Sequence, residues 1–193
     1  MKKPILFAAF FVLFAIPVIA QQSSTPPPPV PDYSPKIWKE YSFADDNVRF
    51  KFPVEPTRKD DTFSGDSPSH VYYRKSFMEF YLSVVTAPPN QDLESAGSIV
   101  LNAARDGAIE SLKDPAAKIV KDEDAEVDGH RGKFVQVETS KGFVHRMKFF
   151  AVKNKMYIAI TSVEKGKRNG FNWENDFEIP AMGFLDSIRL INK

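Results

Sequence analysis

Cysteine is missing from all 193 residues, so no disulfide, thiolate nucleophile or cysteine metal ligand exists and the fold must rest on its core alone. The same absence removes lipid attachment after a processed leader. An excess of charge of one sign is lacking too. The chain sets 26 Lys and Arg against 25 Asp and Glu, a balance that gives no long-range pull toward nucleic acid or an anionic membrane. Beyond Ala20 no apolar run is long enough to span a bilayer. Neither G-x-x-x-x-G-K-[ST] nor G-x-G-x-x-G occurs, and G-x-S-x-G is missing as well, which leaves nucleotide binding and a serine elbow without support. His70, His130 and His145 lie far apart, none with a second His or Cys at ligand spacing. No cofactor and no metal are therefore expected.

What is there begins with an export signal over residues 1–20. Lys2 and Lys3 form a basic start, Ile5 to Ile16 an apolar stretch, and Pro17 breaks it ahead of a Val18-x-Ala20 cleavage site. Cleavage after Ala20 makes the protein periplasmic or secreted. The alternative is an uncleaved signal anchor in the inner membrane, because Pro4 to Ala20 reaches the lower edge of the roughly 17–25 residues that span a bilayer. Residues 21–37 read QQSSTPPPPVPDYSPKI, a proline-rich linker too polar to bury much surface, whose Pro26–Pro31 run favours polyproline II.

Residues 38–193 read as a single α+β domain. A chain near 150 residues can bury roughly 70% of its unfolded surface, and the 17 Phe, 6 Tyr and 2 Trp supply a core. Val48, Phe50 and Phe52 alternate with Arg49 and Lys51, the period of a half-buried strand that Pro53 stops. Val71–Lys75 and the run carrying Phe80, Leu82 and Val84 form a hairpin joined near Ser76 to Met78. Between Asn90 and Leu112 the period becomes helical, with Asn90 or Asp92 as cap and Pro115 beyond the end. From Lys118 strands resume, with Asp128-Gly129 and Asn154-Lys155 as two-residue turns and Lys141-Gly142 in a longer one. Ile158 and Ile160 oppose Tyr157 and Ala159, so that strand is apolar on both sides and central. Phe177, Ala181, Phe184, Leu185 and Ile188 share one side of a C-terminal helix that admits Pro180 in its first turn. The architecture expected is a mainly antiparallel sheet covered by helices.

The Phe52-Pro53 strand end with Pro56 close behind, the hairpin, the single long helix, the Gly129 hairpin into Gly132, Met156-Tyr157-Ile158 and the closing run Phe184 to Leu190 together resemble the PsbP-like superfamily over about Tyr41 to Asn192. The resemblance implies an αβα sandwich and a scaffold or assembly role without catalysis. It brings no binding residue with it, because its motifs are turn residues and buried aromatics rather than reactive groups.

Three clusters could carry chemistry. Asp122, Asp124, Glu126 and Asp128 alternate along one strand and project from one face about 6–7 Å apart. They form either a solvated acidic face or a weak cation or basic-partner site. As a calcium loop the stretch fails, since its twelfth position is Val135 where a bidentate Glu is needed. Lys165, Lys167 and Arg168 precede Phe171 and Trp173, giving either a partner-contact patch of cationic and aromatic groups or a surface loop followed by a core anchor. Ser162-x-x-Lys165 matches a serine–lysine spacing but lies at a strand end, where it supports hydrolysis only weakly.

The expected function is a non-catalytic exported binding or assembly module for a protein or envelope partner, monomeric, with no nucleic acid and no membrane contact unless the leader stays attached. The alternative is a binder of a small apolar, lipid-like ligand in a cavity between the sheet and the 93–112 helix, where Ala96, Ala104 and Ala108 leave room. Hydrolysis is the third reading.

Overall fold

A computed structural model describes residues 38–63, 67–75, 78–165 and 172–192. The leader and linker expected over residues 1–37, and Lys167, Arg168 and Phe171 of the basic–aromatic run, lie outside the described residues, as does the connection at residues 76 and 77.

Two antiparallel sheets are stacked face to face. In the smaller, β1 (Lys39–Phe43) and β2 (Val48–Phe52) pair through a 3-10 turn, Ala44–Asp46, that ends on Asn47 at φ 55°, and the short β10 (Arg189–Leu190) pairs with the other side of β2. Val48, Phe50 and Phe52 are fully buried and Arg49 and Lys51 exposed, as their alternation requires.

The larger sheet has seven strands: β3 (Thr57–Phe63), β4 (Ser67–Lys75), β5 (Met78–Thr86), β6 (Lys118–Val127), β7 (His130–Glu138), β8 (Phe143–Val152) and β9 (Lys155–Glu164). Their order is β3-β4-β5-β9-β8-β7-β6, so β9 joins an N-terminal meander to a C-terminal one. It is the fourth of the seven and buried on both sides through Tyr157, Ile158 and Ala159, the central position its composition demanded. Asp128 at φ 51° and Gly129 at φ 90° make the β6–β7 turn in the left-handed conformation that a tight hairpin needs.

Helix α1 (Ser98–Ser111) leaves β5 at the middle of the sheet and returns the chain to its far edge. It covers one face, where Leu101 and Ala108 meet Val135, Val137, Met147, Phe149 and Ile158. The opposite face is closed by the small sheet together with α2 (Ile179–Leu185), which follows a π-helical turn at Glu174–Glu178. There the rings interlock. Phe184 stands edge-on to Phe50, Phe52 and Phe80 at centroid distances of 6.1, 5.1 and 5.7 Å. Phe177, Ala181, Phe184, Leu185 and Ile188 are all fully buried, but the helix expected to carry all five is shorter: Phe177 lies in the π-helical turn and Ile188 beyond the helix end, while Pro180 sits in the first turn of α2.

Four further details differ from the sequence reading. The 90–112 helix starts only at Ser98, because Gly97 has φ 55° and ψ −129° and the preceding amides are used elsewhere. The Asp92 carboxylate accepts from the Ser95 amide, while Leu93 and Glu94 donate to the Lys153 carbonyl at 2.7 and 3.1 Å. The β8–β9 turn is Lys153-Asn154, with Lys153 at φ 53°; the Asn154 amide group is committed to the Ala87 carbonyl at 2.8 Å. The second face carries a three-stranded sheet as well as a helix, because one short α2 cannot cover it. Edge strand β3 was not anticipated: Thr-Arg-Lys-Asp-Asp-Thr-Phe has little strand propensity and owes its conformation to pairing with β4. Among the described residues no helix is long and apolar enough to cross a membrane.

Candidate functional site

The acidic run belongs to β6, the outermost strand of the large sheet. Asp122, Asp124 and Glu126 pair in register with Val135, Lys133 and Arg131, and so project on the α1 side. Asp122 is bound from two directions, by Arg105 of α1 at 2.6 Å and Lys133 of β7 at 2.7 Å. Burial works against its charge, but these two hydrogen bonds prevail and hold its carboxyl below the usual carboxylate range. Asp124 and Glu126 are exposed. Asp128 is not on the strand with them. It occupies the β6–β7 turn, where its Oδ2 accepts from the Leu190 amide at 2.7 Å, which fastens β10 to that turn. The four carboxylates therefore do not share one row, and no group of three or more metal-ligating side chains gathers among the described residues.

Of the cationic–aromatic run, Lys165 and Trp173 are described. Lys165 Nζ lies 5.3 Å from the Trp173 ring centroid and 2.7 Å from Glu138. Trp173 packs against the aromatic core, its ring 4.7 Å from that of Phe177. The serine–lysine spacing brings no pair together: Ser162 Oγ bonds to His145 Nδ1 at 2.7 Å across adjacent strands, whereas Lys165 turns to Glu138. Burial pushes the His145 imidazole down to about 4, against a small opposing influence of Glu79, so the ring is neutral at physiological pH. Both residues are buried, His145 on the strand face that it shares with Phe143 and Met147. His130 bonds to Glu94 at 2.7 Å, and the Lys153 amide is the larger cause of that carboxyl's lowered pKa.

Between α1 and the sheet, Ala104 and Ala108 pack into the aliphatic core and bring the helix close. A cleft of about 220 Å³ opens on that side at the helix start, lined by Leu93, Glu94, Gly97, Leu101, Arg131 and Ala151. Its lining mixes charge with apolar surface, unlike the closed apolar cavity that a lipid-like ligand prefers.

One cluster of titratable groups was not anticipated. Asp46, only 1% exposed at the end of the 3-10 turn, receives the Tyr72 hydroxyl on Oδ2 and lies 2.7 Å from His70 Nδ1 and 3.7 Å from Lys155 Nζ through Oδ1. Its carbonyl accepts from the Tyr157 hydroxyl at 2.7 Å, and Lys155 also donates to the Asp45 carbonyl. Burial first, and Asp46 second, push both tyrosine hydroxyls well above their usual range. This hub clasps the β1–β2 turn to β4 and β9. The sequence offered only Ala-Asp-Asp-Asn, which reads as a turn, while the partners lie 24 to 111 residues away.

Two buried cations, Arg146 and Lys148, point from β8 toward α2. Arg146 forks onto Glu178 and lies 5.5 Å from the Phe177 ring, and Lys148 reaches Asp186 at 2.7 Å and the Leu185 carbonyl at 3.0 Å. Both serve to hold the helix on the sheet.

Compared with solved structures, the chain matches the solution structure of cyanobacterial PsbP (CyanoP) from Synechocystis sp. PCC 6803, with a TM-score of 0.51 and 13% identity over 87% of this chain and 98% of that one. The fold is PsbP/Mog1-like. The crystal structure of the Ran-binding protein Mog1p from Saccharomyces cerevisiae also matches, with a TM-score of 0.51 and 7% identity over 80% of this chain and 95% of that one. No family model matches, and a search of curated proteins finds no match. At such identities the likeness speaks for the arrangement of strands and helices in the PsbP/Mog1-like fold, not for an activity.

Proposed function

We propose that the protein is an exported, non-catalytic binding or assembly module whose partner is a protein or another component of the cell envelope. The observation that carries this reading is how the chain uses its reactive side chains. Asp46, His70, Tyr72, Tyr157 and Lys155 join the two sheets, His145 and Ser162 satisfy one another inside the sheet, and Arg146 and Lys148 anchor α2. Chemistry on a substrate needs such groups presented to a cleft with a reacting atom within hydrogen-bond reach, whereas here they are spent on tertiary structure.

The surface adds two features suited to contact. Ile119 and Val120 are exposed at 49% and 55% on β6, which ends the sheet with no described strand beyond it. The run from Lys165 through Lys167, Arg168 and Phe171 to Trp173 is a further contact region in this reading. That Mog1p is named a Ran-binding protein supports a protein as the class of partner for this fold, without indicating which one.

Photo-crosslinking of the full chain in the envelope of the cells that produce it tests the proposal. The expected result is a discrete protein adduct. A stoichiometric lipid-like molecule in an organic extract of the purified protein, with no protein adduct, would replace this reading by the ligand-binding one.

A further inference from the structure

We propose that the outer edge of β6 docks an extended, basic segment of a partner protein, which joins the large sheet as an eighth strand. The inference rests on the binding-module reading and names where and how binding takes place. β6 runs for ten residues, Lys118–Val127, pairs only with β7, and no described strand lies beyond it. A strand edge of this length offers a row of backbone donors and acceptors, to which a peptide adds through main-chain hydrogen bonds while its side chains provide selectivity.

Two features choose the occupant. Ile119 and Val120 stand exposed at the start of the strand, Val120 being the extra residue where the register slips between Ile119 and Lys121. Further along, the four carboxylates of the strand divide into committed and uncommitted ones. Asp122 is held by Arg105 and Lys133, and Glu123 by Lys121 at 2.8 Å. Asp124 and Glu126 are exposed and, among the described residues, in no ion pair, even though Lys133 and Arg131 face them in register. An incoming segment that places Lys or Arg opposite these two would form cross-strand pairs that the isolated protein does not make.

A second copy of the chain fits badly. Antiparallel pairing of β6 with itself would set four carboxylates against four, with Lys118 and Lys121 as the only cations of each strand; these stand three positions apart, so no register places both opposite Asp124 and Glu126, which stand two apart. The edge thus rejects its own kind and accepts a strand of opposite charge. In antiparallel pairing such a segment reads basic, any, basic, then an apolar residue about four positions on, to meet Glu126, Asp124 and the Ile119–Val120 pair in turn.

The test is site-specific photo-crosslinking of the full chain in the producing cells, with p-benzoylphenylalanine replacing Val120, or replacing Ile99 or Ile191 as controls on other surfaces. The expected outcome is an adduct from position 120 that maps to a partner segment with basic residues two apart. The double change Asp124→Lys and Glu126→Lys should lower its yield at least tenfold, with an unaltered circular-dichroism spectrum showing that the fold persists. Adducts from positions 99 or 191 but not 120 would overturn the edge proposal and leave the binding-module reading standing. So would an adduct from 120 that is insensitive to the charge reversal, or one that maps to an acidic or neutral segment. No protein adduct from any position would overturn both.

Discussion

The two faces of the seven-stranded sheet are closed by different physics. On the side of the small sheet and α2 the core is a web of rings, with Phe50, Phe52, Tyr72, Phe80, Phe150, Tyr157, Phe177 and Phe184 all buried. On the α1 side the core is aliphatic, and Phe149 is the one ring in its buried cluster among the described residues. The aromatic face gains large area per residue and fixes geometry through edge-on contacts. The α1 face carries neutral polar insets, Ser69 with Ser83 at 3.2 Å and His145 with Ser162 at 2.7 Å, where the aromatic face buries the charged Asp46, Arg146 and Lys148, and it holds its helix at the margin by the Arg105–Asp122 ion pair. Stability is therefore concentrated on one face, while the other carries the outward-looking edge residues of β6.

The sharpest way to break this contrast is Phe184→Ala. That ring touches three others, so its loss should cost about 3–5 kcal/mol, read by urea unfolding at neutral pH. A loss below about 1 kcal/mol would mean that the aromatic web does not hold that face.

Next comes the pH response of the α1 face. Because the folded state lowers the His145 pKa from 6.5 to about 4, it favours the neutral ring; stability is whole above pH 6.5 and falls as pH drops toward 4. Over that window the group accounts for about 3 kcal/mol. His145→Asn should flatten the wild-type decline between pH 7 and 4.5 in denaturant titrations; parallel curves would contradict the assignment.

The smallest effect is expected from Arg105→Ala. The pair with Asp122 is largely but not fully shielded, which suggests a loss of about 0.5–1 kcal/mol that shrinks as salt is raised from low to molar concentration. An unchanged or salt-independent stability would remove the electrostatic tether from the account.

Legibility in the sequence followed the range of the interactions. Phe50 and Phe52 announced their strand because alternation is local, and the apolar runs on both sides of β9 placed it centrally. The first turn of α1 was overreached because Leu93 and Ala96 keep helical spacing, although Gly97 and the Lys153 carbonyl draw the backbone away from it. β3 gave little signal, since an edge strand paired on one side needs no apolar alternation. The carboxylates of β6 could be read from sequence, but which two remain uncommitted depends on Arg105 and Lys133, set by packing. Asp46 was invisible for the same reason.

The clasp around Asp46 has a consequence for how the molecule comes apart. One turn is gripped by side chains from two strands of the other sheet, so neither layer can leave while the other stays intact without stripping a buried carboxylate of its partners. Loss of structure should spread to both layers at once, giving a single cooperative transition in which the small sheet never peels off as a separate step.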